Sequence, residues 1–222
     1  MRRRLRLAVN VALRARNPYG TWGYRSLPNG EQNLSCTFWI MRALLSAERA
    51  GVELDADSRS NTLQFVREMT DEGTGRIGYS ERGTVSARIK DVNLGVFPAD
   101  SGETLTAEGT CLRLWIAPEA SSTAIRAGEE LVLRQLPQWG PDKYINDFGY
   151  WLAGSELAGA GTRRFSVAWK RAMVPVLVEN QRMDGAAKGT WDPSGAWCFA
   201  GGRVYATAMA ALALQALNGE RP

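Results

Sequence analysis

Histidine is absent from the 222 residues of this chain, and cysteine is scarce, with three. Without an imidazole, a zinc site would have to be built from carboxylates and cysteines alone, and Cys36, Cys111 and Cys198 are widely scattered. Their odd number and spacing also argue against a disulfide framework. Each thiol lies in an apolar run, the pattern of free, buried cysteines in a reducing compartment. No metal and no cofactor are therefore expected. Segments of alternating polar and apolar residues, which would mark strands, are missing as well.

Neither sign of charge dominates. The 27 Lys and Arg against 23 Asp and Glu leave a formal +4, and Arg2, Arg3, Arg4 and Arg6 account for the excess. Such a cluster reads as the solvated face of a helix, and no interleaving of aromatic and basic residues marks a base-stacking platform, so no nucleic acid partner is expected. With 45% hydrophobic and 23% charged residues, the composition is that of an ordinary soluble globular protein, long enough to bury roughly 70% of its unfolded surface in one domain. The apolar stretch from Leu7 to Leu13 is interrupted by Asn10 and followed by Arg14 and Arg16. That pattern reads as a helix rather than a leader, so a cytoplasmic protein without a transmembrane segment is expected.

What is present is helical periodicity. Leu5 to Leu13 forms a first helix, stopped by Asn17, Pro18 and Gly20; Asn33 to Ala50 forms a second, apolar around most of its circumference and closed by Gly51. An almost uniformly apolar helix is expected to be buried. Asp57 or Ser58 can cap a third, carrying Leu63, Phe65, Val66 and Met69, and the stretch from Thr84 to Gly102 is the least regular. Further helices follow at Leu105 to Ile116, ending before Pro118, and at Ala124 to Leu136, Ile145 to Ala158, Phe165 to Asn180 and Arg203 to Leu217. Pro175, inside the seventh, should kink it. Eight helices make four antiparallel pairs.

The connections between these helices repeat. Asn17-Pro-Tyr-Gly-Thr-Trp-Gly-Tyr24, Asp71-Glu-Gly-Thr-Gly-Arg-Ile-Gly-Tyr79 and Gln181-Arg-Met-Asp-Gly-Ala-Ala-Lys-Gly-Thr-Trp191 are similar turns, and Gln135-Leu-Pro-Gln-Trp139 is a degenerate fourth. They resemble the Gln-Trp turns of squalene and oxidosqualene cyclases and the related repeats of protein prenyltransferase β-subunits; Gln181, Gly189 and Trp191 match best. Glycine permits a left-handed turn, the indole packs across adjoining helices, and the glutamine can bond helix-end backbone groups. The helix starts Ser35-Cys-Thr-Phe-Trp39, Leu105-Thr-Ala-Glu-Gly109 and Gly201-Gly-Arg-Val-Tyr-Ala-Thr-Ala208 are similar to those of bacterial squalene-cyclase-like repeat proteins. The resemblance spans about residues 17–217. It implies an all-α fold, a short α/α toroid with inner and outer helices whose ring is closed or incomplete, and a central apolar cavity for an isoprenoid-like molecule.

Two departures separate the chain from those enzymes. Class II cyclases protonate an alkene or epoxide with the central acid of an Asp-x-Asp-Asp motif. This sequence has no such motif; Asp55-Ala-Asp57-Ser58 comes nearest and reads as a helix cap. The prenyltransferases activate a thiol with zinc held by Asp, Cys and His, and histidine is missing here. Gly30-Glu-Gln-Asn33 brushes the thioester motif of complement-like toroids, but Asn29 stands where its cysteine would be.

The remaining candidates for an acid are Asp147, Glu108 and Glu103. Asp147 heads an aromatic helix start in which Tyr150 and Trp151 could stabilise a cationic ligand, against the competing role of helix cap and core. Glu108, inside an apolar helix, either pairs with Arg113 or another base, which is the favoured reading, or carries a raised pKa suited to acid catalysis. Asp192, before Pro193, reads as a turn former. Trp39 and Trp151 are the candidate cavity tryptophans. The expected function is a toroid domain without the usual catalytic groups that binds an apolar ligand or a protein partner, with a second copy of the chain as one such partner. The alternatives are a terpenoid-processing, cyclase-like enzyme that uses a non-standard carboxylate, and an interaction module in a larger assembly.

Overall fold

In the computed structural model the described residues are 2–85, 88, 89, 92, 94–100, 102–117, 123–140 and 146–218. They form eight α-helices: α1 (Arg2–Arg14), α2 (Leu34–Arg49), α3 (Ala56–Glu68), α4 (Thr104–Ile116), α5 (Thr123–Leu133), α6 (Phe148–Ala160), α7 (Arg163–Val178) and α8 (Cys198–Leu217). The protein is all-helical, and among the described residues the only β pairing is two isolated bridges. The expected Pro118 stop and the Ile145 start lie outside the described residues; the sixth helix begins at Phe148.

Side-chain caps explain several helix starts. Asn33 accepts from the Cys36 N–H at 3.0 Å, Asp55 from Ser58 at 2.7 Å, Asp147 from Tyr150 at 3.0 Å and Thr162 from Phe165 at 3.3 Å. Each satisfies an amide that the first helical turn cannot. Asp55 is thus the cap of α3, earlier than the expected Asp57 or Ser58, which lie inside the helix. The fifth helix ends at Leu133, three residues short of the expected Leu136, as Arg134 and Gln135 tighten into a turn on the Leu131 and Val132 carbonyls. The Pro175 backbone is accommodated within α7, which continues to Val178. α8 breaks at Gly202, whose φ of 55° suits glycine, and its regular turns resume at the expected Arg203.

The even-numbered helices pack in succession, α2 on α4, α4 on α6 and α6 on α8. Outside them α1 packs on α2, α3 on α4 and α7 chiefly on α6 and also on α8, with α5 against α4 and α7. Nearly all of α4 and α6 is buried. α2 is not, contrary to expectation. Leu34, Phe38, Met41 and Leu45 enter the core, while Ser35 and Trp39 face a cavity. The helix is apolar on two sides because one side lines space rather than protein.

The matching turns are one structure used three times. Gly20, Gly75 and Gly189 all have positive φ, at 75°, 78° and 82°. Two residues on, the backbone N–H of Trp22 donates to Thr37 Oγ1 at 3.1 Å, that of Ile77 to Thr106 Oγ1 at 3.3 Å and that of Trp191 to Thr207 Oγ1 at 3.3 Å. Each turn is therefore tied to the next even-numbered helix, near its start at Thr37 and Thr106 and just past the Gly202 break at Thr207. Two of the turns also reach back: Trp22 Nε1 donates to the Ala12 carbonyl at 2.7 Å and Trp191 Nε1 to the Leu177 carbonyl at 2.8 Å, satisfying oxygens at the ends of α1 and α7. Gln181 bonds the Gly189 carbonyl across its own turn instead of a helix end. The fourth connection differs, for Gly140 donates to Asn146 and Trp139 packs on Phe148 and Trp151.

Gly75→Ala tests the turn. Its Cβ would meet Ala127 Cβ at 2.7 Å in addition to holding a positive φ, so a loss of about 1–3 kcal/mol is expected in urea unfolding, with the m-value unchanged.

Candidate functional site

The heads of α2, α4, α6 and α8 surround a cavity of about 520 Å³. α2 contributes Ser35 and Trp39; α4 contributes Thr104, Leu105 and Glu108; Gly149 comes from α6. Trp197, Ala200, Tyr205 and Met209 line it from α8 and the residue before it, so α2 and α8 face each other across the space. Tyr24 and Tyr79, each at the end of a repeat turn, form one side of the rim. Their hydroxyls bond at 2.9 Å, and the Asn33 amide donates to Tyr79. The volume falls in the range of small-molecule sites, and the lining is mostly aromatic and aliphatic with a few polar groups.

Glu108 is the unusual group in this lining. It is 4% exposed, it accepts a 3.3 Å bond from Ser35 Oγ at Oε1, and its buried Oε2 has no hydrogen-bond partner. Burial pushes its pKa up to about 8; the Ser35 bond opposes this, and the nearby Asp147 charge adds to it. The carboxyl is consequently protonated at neutral pH. Arg113 does not reach it, which corrects the favoured pairing: that guanidinium turns to the other side of α4 and donates to Thr70 Oγ1 and the Val66 carbonyl. Thr104, four residues earlier on α4, also has a buried hydroxyl oxygen without a partner.

Of the other buried carboxylates, Glu129 accepts from the Thr162 amide and hydroxyl, both at 2.7 Å, and three meet bases. Asp147 caps α6 and pairs with Arg88 at 2.8 Å, the guanidinium lying 6.0 Å from the centre of the Trp197 ring. Glu103 pairs with Arg76 at 2.6 Å and accepts from Thr106 Oγ1 at 2.7 Å, behind the start of α4. Glu156 takes Arg42 through two nitrogens, at 2.6 and 2.9 Å. Burial pushes up the thiol of Cys36, beside Glu31 and Glu108, to about 11 and the Tyr205 hydroxyl well above its usual range, so both stay protonated. Among the described residues no group of three or more His, Cys, Asp or Glu is disposed to hold a metal ion, and no helix is long and apolar enough to cross a membrane.

Of the six residues singled out from sequence, Trp39 and Glu108 line the cavity together. Asp147 stands beside it as cap and ion pair, and Glu103 is held in a separate ion pair. Tyr150 and Trp151 are corrected to the helix-packing core: the Tyr150 hydroxyl donates to the Val132 and Gln135 carbonyls, and Trp151 is wedged against Phe148 and Trp139. Asp192 sits in its turn and pairs with Arg203 at 2.7 Å. Ser35, Thr104, Trp197 and Tyr205 were missed as lining. Ser35 and Tyr205 belong to the recognised helix starts, whereas Arg88 comes from the irregular stretch, where no periodicity points to it.

No family model, curated protein or solved structure matches this chain.

Glu108 ties stability to pH. Its folded form keeps the proton to about pH 8, whereas the unfolded carboxyl releases it near its ordinary value of 4.5. The unfolded state therefore binds fewer protons between those values, and this group makes stability fall as pH rises through that window, by several kcal/mol at most. Glu108→Gln should remove that contribution. Urea unfolding at pH 6 and pH 9 is expected to show the variant gaining on the wild type at the higher pH; parallel loss in both proteins would contradict the assignment.

Proposed function

We propose that this protein is a repeat domain of the squalene-cyclase and prenyltransferase type that binds a small, largely apolar molecule in its central cavity without performing their chemistry. The observation that carries this reading is the cavity itself, of about 520 Å³, where four helix heads meet around aromatic and aliphatic side chains. The recurring turns support the family reading. Three free thiols fit a reducing, cytoplasmic setting.

A cyclase-like reading has one observation in its favour, a protonated carboxyl in an apolar cavity. Its strength is wrong for the reaction: a group held to a pKa of about 8 is a weak acid, and forming a carbocation from an alkene needs a strong one. Binding is the better use of this site.

Trp39 and Trp197 report on the cavity by fluorescence. Titration with farnesol or geranylgeraniol is expected to quench them saturably, and Trp39→Ala to weaken binding about tenfold, the loss of part of one indole contact. Unchanged affinity in that variant would refute binding at this place. Squalene, farnesyl and geranylgeranyl substrates are expected to be recovered intact by mass spectrometry; cyclised products that disappear in Glu108→Gln would reverse the choice between the two readings.

A further inference from the structure

The cavity contains an unbalanced acid. Arg88 and Asp147 neutralise one another at 2.8 Å, leaving Glu108 as a carboxyl with no base. A pocket for a purely apolar molecule gains nothing from such a group, which costs free energy to bury whether it is ionised or holds a proton with no acceptor. The unmatched oxygens of Glu108 and Thr104 lie one helical turn apart on α4, next to the indoles of Trp39 and Trp197. A carboxylate, a hydroxyl and aromatic faces are together the chemistry that receives an ammonium group.

The positive ends of the helices do not turn the site toward anions. The heads of α2 and α6 are capped by Asn33 and Asp147, and Glu103 stands at the head of α4. Arg88, the base in the lining, is already paired with Asp147, and an anionic ligand would oppose any ionisation of Glu108.

We propose that the cavity selects a lipophilic amine, whose ammonium pairs with Glu108 and bonds Thr104 while its hydrocarbon part lies against Trp39, Leu105, Trp197 and Met209. This rests on the cavity-binding reading above and names the ligand class. The amine enters as the cation and Glu108, where it holds a proton, gives it to solvent, so proton release approaches one per ligand well below pH 8 and falls to about half at pH 8. The ionisable groups facing Glu108 are Cys36 of α2, Cys111 of its own helix, Asp147 at the head of α6 and Tyr205 of α8, and Arg88, Tyr24 and Tyr79 line the same cavity. The two thiols and the Tyr205 phenol have raised pKa values and remain neutral, and Asp147 is occupied by Arg88. Glu108 is thus the group that exchanges the proton.

Isothermal titration calorimetry with two matched pairs, tryptamine against tryptophol and decylamine against 1-decanol, tests the proposal. At pH 8 each amine is expected to bind at least about tenfold more tightly than its alcohol. The preference should shrink at pH 6.5, and heats in buffers of different ionisation enthalpy should show a larger proton release at pH 6.5 than at pH 8. Glu108→Gln, of the same shape, should abolish the preference and retain the alcohol affinity. Equal affinities for amine and alcohol, or a preference that survives Glu108→Gln, would overturn the amine assignment and leave the cavity reading standing. No binding by any of the four compounds would overturn both.

Discussion

A hydrogen bond from a turn amide to a threonine hydroxyl, made by Trp22, Ile77 and Trp191 to Thr37, Thr106 and Thr207, is the constraint on which the arrangement of the helices depends. Each bond joins the chain leaving an odd-numbered helix to the even-numbered helix that follows it. Because the same bond recurs, the heads of α2, α4 and α8 are held at one end of the molecule, where α6 joins them through the Asp147 cap. A glycine with positive φ two residues earlier turns the chain so that the amide can point inward. The cavity is what remains when helix heads are fixed by their turns and the side chains between them do not fill the space.

Electrostatics separates scaffold from site. Glu103, Asp147 and Glu156 are buried, and each meets an arginine supplied by another part of the chain, Arg76, Arg88 and Arg42 respectively. These pairs bridge segments and lock the ends of α4 and α6. A buried carboxylate that has lost its base is costly, so breaking any of them is a matter of folding. Glu108 belongs to the same helix as Glu103 and is buried as deeply, but its free energy is left to be settled by protonation or by a ligand. Glu129, the fifth buried carboxyl, is satisfied by the Thr162 amide and hydroxyl, so Glu108 alone among the five keeps a buried oxygen without a partner.

Much of the architecture was legible in the sequence because it rests on local chemistry. Gly51 and Arg203 mark helix boundaries through conformational freedom and the break before them, the Asp55 to Ser58 string marks a cap that falls at Asp55 rather than at the expected Asp57 or Ser58, and the repeated Gly-x-Trp or Gly-x-Ile strings mark the turns. The cavity was only half legible. Trp39 and Glu108 stood out as an indole and an acid in apolar helices, but Tyr150 and Trp151 offered the same signal and went to the core. The distinction depends on which face of α6 meets its neighbours, and α6 is apolar all round, so periodicity could not choose. Arg88 was invisible for another reason: its partner Asp147 is 59 residues away, and no local pattern records such a pairing.

The second turn bears Ile77 where the first and third bear tryptophan, and its side chain lies so close to α4 that a Cβ on Gly109 would come within 2.7 Å of Ile77 Cδ1. Gly109 is in effect the imprint of Ile77 on the neighbouring helix. If the repeats arose by copying one unit, this copy has since diverged in step with its surroundings, and the helix pairs have ceased to be interchangeable parts. Moving the tryptophan of either flanking turn into the middle one would require a new bed for the indole on α4, so a pair of positions 32 residues apart, rather than either alone, is the unit in which this sequence can change.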